Sequence, residues 1–317
     1  VTLESDKGSP TFSVVIPCYN RASEVVSTLR SVQAQTCGDL ECIVIDDGSD
    51  DSAELRAVVE SLGDDRFTYI HQFNQGGGAA RNAGINAARG QFIAFLDSDD
   101  AFLPHKLQVI NDHLKGSSDK ALYSRALVER GGPDSVWIRP DRAIHADEDM
   151  GEYLFVSNQF VQTSTIVMAT ATARDVMFDP NLRKGQDLDF CVRAHALGVR
   201  FTMIDEPLII WKDSTEVNRT SRHAGASAPL AWLDNHRSLL TRSAQLGYLV
   251  TVVAVFRPKR QILVVIRDLL RGLVVAKVPV RVVGRQFLRF ALPRSTYRRL
   301  VDSFVRVRGS VGRKRPQ

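Results

Sequence analysis

The chain has 317 residues, 44% of them hydrophobic and 24% charged, with a formal net charge of +5. That length allows one large domain or two modest ones, and the composition excludes an intrinsically disordered chain. The charge is divided unevenly, with 22 Lys+Arg against 34 Asp+Glu from Val1 to His236 and 19 against 2 from Arg237 to Gln317. An acidic part suited to holding a cation is thus followed by a basic part that suits an anionic partner, membrane or nucleic acid.

The opening VTLESDKGSP is polar and lacks the apolar stretch of a signal peptide. Residues 1–11 are therefore expected to be a disordered N-terminus, and the acidic part to face the cytosol. FSVVIPC (12–18), LECIVI (40–45), FTYIHQ (67–72) and FIAFL (92–96) are short apolar runs of strand type. Ser23 to Gln35 places Val25, Val26, Leu29 and Val32 at helical spacing, with Ser23 as a plausible N-cap, and the second half of NQGGGAARNAGINAARG reads as an Ala-rich helix closed by Gly90. Strand and helix alternate here as in an α/β layer with a largely parallel sheet. Beyond Asp100, Pro104–Leu114 reads as helix, ALYSRALVER and SVWIRP as strands, 158–170 as an apolar run, 186–198 as a helix with Asp187 in its first turn, and RFTMIDEPLIIW as one or two strands. Cys18, Cys37, Cys42 and Cys191 show no CxxC spacing and are expected to be reduced, packed thiols.

The polar interruptions all fall where the first strands end: Tyr19-Asn20-Arg21, Asp46-Asp47-Gly48-Ser49, Asn74-Gln75-Gly76 and Asp97-Ser98-Asp99. In open α/β sheets ligands bind beyond the carboxyl ends of the strands. Asp97, Asp99 and Asp100 crowd three carboxylates into four positions, and like charges that close repel unless something positive lies between them. One reading is an Asp-rich helix cap; the other is a divalent cation on hard oxygen ligands. Asp47 could simply belong to an acidic turn, or accept a hydrogen bond from a base N–H while Tyr19 offers a face for stacking. The glycine run with Arg81 matches neither GxGxxG nor GxxxxGK[ST], so the dinucleotide and P-loop fingerprints fail, although glycines admit a ligand close to the backbone and Arg81 can pair with an anion.

VVIPCYNR, VIDDGSDD, NQGGGAARNAGINAARGQFIAFLDSDD and GQDLDF, in that order, resemble the inverting family 2 glycosyltransferases. The likeness covers residues 12–215. It implies a GT-A fold, with a Rossmann-like nucleotide-binding sheet and a mixed acceptor half over 12–230; charge and periodicity place a basic, helical extension after it, over 231–317. It also implies transfer of one sugar from a nucleotide diphosphate donor, usually UDP-linked in the family, to a glycan or lipid-linked glycan hydroxyl. By position the nucleotide-sugar-binding residues fall on Pro17, Tyr19, Arg21, Asp47, Arg81 and Asp97, and the DxD motif on Asp97 and Asp99. Asp99 is the expected direct ligand of Mg2+ or Mn2+, with Asp97 a ribose or water-mediated metal contact. Asp187 is the expected base that deprotonates the acceptor hydroxyl, although an aspartate there could also just cap its helix. Asp100 is expected to cap the helix that follows it.

Three positions depart from the family pattern. Gln186 stands in place of the usual Glu, Ser214 falls where a metal-binding His is frequent, with His223 a weak substitute, and no QxxRW appears, which argues against processive synthesis. The first two keep open a non-catalytic nucleotide-sugar- or carbohydrate-binding protein on the same fold.

In the basic extension the longest uncharged run, 243–256, is shorter than a membrane-spanning helix requires. Arg260, Arg267 and Arg271 fall on one helical face, and Arg281, Arg285 and Arg289 form a second row beside Phe287, Leu288 and Phe290. Helices of that kind suit an anionic membrane surface, or a packed fold with a solvated basic face; no nucleic-acid motif accompanies the charge. The expectation is a peripheral protein on the cytoplasmic face of a membrane, with GRKRPQ a disordered end.

Overall fold

The computed structural model describes residues 8–114, 120–129, 136–213, 225–293, 296–297 and 299–301. The elements in chain order are β1 (Phe12–Cys18), α1 (Val25–Gln33), β2 (Leu40–Asp47), α2 (Ser52–Glu60), β3 (Phe67–Gln72), α3 (Gly77–Ala87), β4 (Phe92–Phe95), β5 (Ala101–Phe102), α4 (Lys106–Leu114), β6 (Lys120–Glu129), β7 (Val136–Arg139), β8 (Ile166–Ala169), α5 (Thr170–Val176), α6 (Gln186–Ala196), β9 (Arg200–Lys212), α7 (Ser227–Asn235), α8 (Arg242–Tyr248), α9 (Ile262–Val274) and α10 (Val280–Ala291). Two compact units share them: Val1–Ala126, Gln162–Phe190 and Leu197–Lys212 make the first, and Leu127–Val161, Cys191–Ala196 and Asp213–Gln317 the second.

The first unit is built on a sheet in the order β3-β2-β1-β4-β8-β6-β9-β5. β3, β2, β1 and β4 run parallel, and β8 pairs antiparallel with β4, so a parallel half gives way to a mixed half. β1, β2 and β4 are buried nearly throughout, as strands covered on both faces must be, which is why they read as continuous apolar runs. β3 is only partly buried, with Thr68 and His71 exposed. Pairing begins before β1, inside the 1–11 segment: Gln91 N donates to Pro10 O and Phe92 N to Thr11 O. Parallel register brings Cys18 level with Asp46 and Asp47 level with Gln72, and Leu96 N donates to Val15 O beyond the last paired residues of β4. The carboxyl ends of four strands therefore present their polar residues along one edge.

α3 lies against β1 so closely that a Cβ on Gly84 would meet Val15 Cγ1 at 2.2 Å, so only glycine fits there. At the mixed half Phe95, Phe178 and Phe190 form a cluster, Phe178 and Phe190 stacking at 4.4 Å and both meeting Phe95 edge-on. Phe190 lies one turn beyond Asp187, so this cluster fixes the start of α6.

Some local expectations change. Ser23 does not cap α1; its hydroxyl donates to Glu24, and the helix opens on Val25 N donating to Arg21 O. α3 starts at Gly77 and ends at Ala87, short of Gly90, whose N–H is taken by Ser13 Oγ. Of the one or two strands expected over RFTMIDEPLIIW, the chain forms one, Arg200–Lys212. All four cysteines are free and buried, as expected.

In the second unit, a π-helical turn at Glu152–Val156 packs Phe155 against Trp232 and Tyr248. α8 continues through a π turn (Leu249–Val253) and a 3-10 turn (Ala254–Phe256). Leu246, Val250, Val265, Leu269, Val278, Val282 and Phe290 form a core with α9 and α10. Arg260 belongs to a 3-10 turn ahead of α9, so only Arg267 and Arg271 of its row lie on that helix. No helix among the described residues is long and apolar enough to cross a membrane.

Candidate active site

The loop after β1 is latched to the loop after β2. Asn20 takes a left-handed backbone conformation, its N–H donates to Ser49 Oγ at 2.9 Å, and its side chain exchanges hydrogen bonds with Asp50. Tyr19 in this loop is 48% exposed. Pro17 is held inside the sheet opposite Ile45.

The two aspartates that end β2 divide their work. Asp46 is fully buried and accepts from Tyr69 at 2.5 Å and from Ser49 N at 2.9 Å. Burial pushes its pKa up, but hydrogen bonds from Ser49, Ser52 and Tyr69 outweigh that and hold it below the usual aspartate range. Asp47 accepts from Gln72 Nε2 at 2.7 Å, Gln75 N at 2.9 Å and Gly76 N at 2.7 Å. It thereby organises the glycine-rich turn before α3, and with about four acceptor positions on a carboxylate it keeps room for one more donor. Gly48 has φ +71°, and a Cβ there would lie 2.6 Å from Asn74 N, so the two turns meet only because this residue is glycine.

The β4 end is where opposite charges collect. Arg81, on α3, reaches Asp97 at 2.5 Å and Gln186 Oε1 at 2.6 Å, with its guanidinium 5.3 Å from the centre of the Phe178 ring. Arg21 pairs with Asp99 at 2.6 Å. Asp97 also accepts from Gln162 Nε2 at 3.1 Å, and its N–H donates to Ser164 Oγ at 2.9 Å. The structure thus brings Arg21, Arg81, Asp97 and Asp99 together in two ion pairs.

Asp100 does not cap α4, which begins six residues later. It is 1% exposed and accepts from Ser164 Oγ at 2.6 Å, Gln162 Nε2 at 2.8 Å and Lys212 N at 3.2 Å. Burial, then the charges of Asp97 and Asp99, push its pKa well above the usual aspartate value. It anchors the DxD turn to the mixed half of the sheet. Lys106, fully buried in the first turn of α4, donates to Ser164 O at 3.0 Å, and burial lowers its pKa to about 7.

Asp187 stands in the first turn of α6, partly buried, with Leu188 N donating to its Oδ1 at 2.9 Å. Burial pushes its pKa up to about 6; the charge of Asp97 adds to this, while the Leu188 N–H and Arg81 oppose it. Gln186 joins Asp187's helix to Arg81, and through Arg81 to Asp97. Gln162 and Ser164, the supports of the carboxylate cluster, carry no signal in the sequence, since each acts on residues more than sixty positions away. Ser214 and His223 lie outside the described residues.

The sequence model of the Glycosyl transferase family 2 matches residues 13–174, the span that holds the carboxyl ends of β1 to β4. The chain belongs to this family. The amylovoran biosynthesis glycosyltransferase AmsB of Erwinia amylovora is 34% identical over 244 residues, covering 73% of this chain and 79% of AmsB. WcaA of Escherichia coli (strain K12), assigned to colanic acid biosynthesis, is 30% identical over 190 residues, 59% of this chain and 67% of WcaA. Among solved structures, Staphylococcus aureus TarS 1-349 in complex with UDP-GlcNAc superposes with a TM-score of 0.61 at 19% identity, covering 93% of this chain and 91% of that one. That likeness establishes the GT-A fold, with its mixed α/β sheet.

Among the described residues, no group of three or more His, Cys, Asp or Glu side chains is placed to hold a metal ion. Asp97 and Asp99 nevertheless fit the way Mg2+ is bound, by one or two carboxylates with the remaining oxygens coming from substrate phosphates and water. Their charges are balanced by Arg21 and Arg81.

Proposed function

We propose that this family 2 glycosyltransferase moves one sugar, with inversion, from a UDP-linked donor to a hydroxyl of a glycan or lipid-linked glycan, in the synthesis of a surface polysaccharide or glycoconjugate. The observation that carries the reading is the Arg21–Asp99 and Arg81–Asp97 pairing at the strand ends, with Asp187 near enough for Asp97 and Arg81 to shift its pKa. The names of AmsB and WcaA, given for amylovoran and colanic acid biosynthesis, support the polysaccharide role.

In this reading Tyr19 stacks on the base, Asp47 accepts from a base N–H, and Pro17 shapes the floor between them. Arg21 and Arg81 are charged donors that can turn from their carboxylates to the diphosphate oxygens. Asp99, with Asp97, would hold Mg2+ or Mn2+, which when bound neutralises charge developing on the departing diphosphate. Asp187 takes the proton of the acceptor hydroxyl as its oxygen bonds to the sugar C1 and the C1–O bond to the diphosphate breaks on the opposite face. A pKa of about 6 leaves Asp187 ionised at neutral pH and a stronger base than an ordinary aspartate. The basic C-terminal helices would rest on an anionic membrane surface at its cytoplasmic face, where lipid-linked acceptors are found.

The test is a screen of UDP-, GDP- and dTDP-sugars for nucleotide release, with membrane extract supplying acceptors. Release that depends on both a sugar nucleotide and the extract supports transfer. Tight donor binding without any release would leave a binding protein on this fold.

A further inference from the structure

The second unit contains a cavity lined by none of the residues assigned above to glycosyl transfer. A cavity of about 340 Å³ is lined by Arg237, Arg242, Arg257, Arg267 and Arg271 against a single carboxylate, Asp268. Asp268 is 2% exposed and already engaged, by Arg257 at 3.2 Å and Arg267 at 2.9 Å. Arg237 pairs with Asp234 at 2.9 Å. Among the described residues Arg242 and Arg271 have no side-chain partner, and Arg257 Nε is buried without an acceptor. Even with Asp234 counted, five cations face two anions, and guanidinium groups are suited to phosphate. The rest of the wall is apolar, from Leu230, Leu233, Leu246 and Leu249. A small hydrated anion has no use for that surface, whereas an amphiphile with a phosphate head would use both parts.

α9 supplies an independent observation. Leu263, Leu270 and Val274 are 78%, 56% and 74% exposed, and Ile266 is 37% exposed. Their spacing puts them on one outward stripe of the helix. Arg267 and Arg271, which line the cavity, border that stripe, about 40° and 80° from Leu263 at 100° per residue. An apolar stripe edged by arginines is the pattern of a helix lying in a membrane interface, its aliphatic side chains in the acyl boundary and its guanidinium groups at headgroup level.

We propose that the cavity binds the phosphate of an acidic phospholipid, seating α9 on the bilayer with its Leu263–Val274 stripe inserted. This rests on the reading that the C-terminal helices meet a membrane, and it adds a defined headgroup site to what would otherwise be diffuse attraction. The full chain is sedimented with vesicles of phosphatidylcholine alone and of phosphatidylcholine and phosphatidylglycerol in equal parts. Three proteins are compared: wild type, Arg242→Gln with Arg271→Gln, and the charge-matched control Arg260→Gln with Arg281→Gln, outside the cavity. Diffuse attraction costs about thirtyfold in partition for any two arginines lost. Direct guanidinium–phosphate hydrogen bonds should make the cavity pair lose at least about tenfold more than the control pair.

Equal losses in the two pairs would overturn the headgroup site and leave the membrane reading standing; failure of wild type to bind the anionic vesicles would overturn both. Inorganic phosphate that fills the cavity by calorimetry without displacing the vesicles would assign it to a soluble anion and overturn the proposal. So would self-association in the ultracentrifuge that is abolished by Leu263→Ser with Leu270→Ser, in a chain that does not partition. Thermal unfolding checks each variant, and Arg271→Gln alone should show the same order of effects if the double variant is unstable.

Discussion

Replacing Asp187 with Asn should abolish transfer and, at neutral pH, make the fold more stable. The carboxyl is desolvated, and its pKa stands at about 6, against about 3.9 for a free aspartate. That difference corresponds to about 3 kcal/mol against the charged form, an upper bound that water at its exposed edge trims to about 1–2 kcal/mol. Because the folded pKa lies above the unfolded one, the penalty is present in full above pH 6. It shrinks as the pH falls from there towards the unfolded value and is gone below it. Asn keeps an oxygen for the Leu188 N–H but carries no charge, so Asp187→Asn should gain about 1–2 kcal/mol by urea unfolding at about pH 7.5 and nothing at about pH 3. Turnover should fall about 10²–10⁴-fold or more with donor affinity nearly unchanged, because the base acts on the acceptor. A variant no more stable than wild type at pH 7.5, or equally stabilised at both pH values, would refute the desolvation argument. Normal turnover would remove Asp187 from the mechanism.

The parallel half of the fold was legible because β1, β2 and β4 are covered on both faces. FSVVIPC, LECIVI and FIAFL are apolar without interruption, and the polar residues that follow mark the sheet edge where ligands sit. The mixed half was read less well. β5 is only Ala101–Phe102, defined by pairing with Ile209 and Ile210 more than a hundred residues away, and no local pattern announces a two-residue strand. Residues 158–170 read as one apolar run, yet they contain the buried polar turn Thr163–Thr165 ahead of β8.

The site divides in the same way. Tyr19, Asp47, Arg81 and the aspartates stand out in the sequence because each stands at a strand end or in the first turns of a helix. Asp100 was misread as a cap because the sequence does not show Ser164, Gln162 and the Lys212 N–H converging on it from the other half of the sheet. Gln186 looked like a loss relative to the family's Glu. In the fold its amide oxygen receives Arg81, a link that requires an acceptor but not a charge.

The remaining predictions concern the same cluster. With Asp187 as base, kcat/KM should rise about tenfold per pH unit up to the pKa near 6 and level off above it; a profile flat from pH 5 to 8 would contradict that. Asp99→Asn should weaken donor binding at least about tenfold with Mn2+ present and little without it, measured by calorimetry; equal loss in both conditions would mean that Asp99 serves only to hold Arg21. Gln162→Leu tests the support beneath the DxD turn. Gln162 is 6% exposed and donates to Asp100 at 2.8 Å and Asp97 at 3.1 Å, while its carbonyl accepts from Ser164 N at 2.8 Å. Leucine fills a similar volume but leaves those buried partners short, which should cost about 2–3 kcal/mol, or about 4–10 °C in Tm. Asp100, already pushed upward by burial and by Asp97 and Asp99, loses a hydrogen bond that favours its charged form, so the deficit should be larger at pH 8 than at pH 5. Asp97 is also freed on one side, and the donor KM should rise with it. Stability and donor KM both unchanged in Gln162→Leu would show that the turn is held by Ser164 and Arg81 without it.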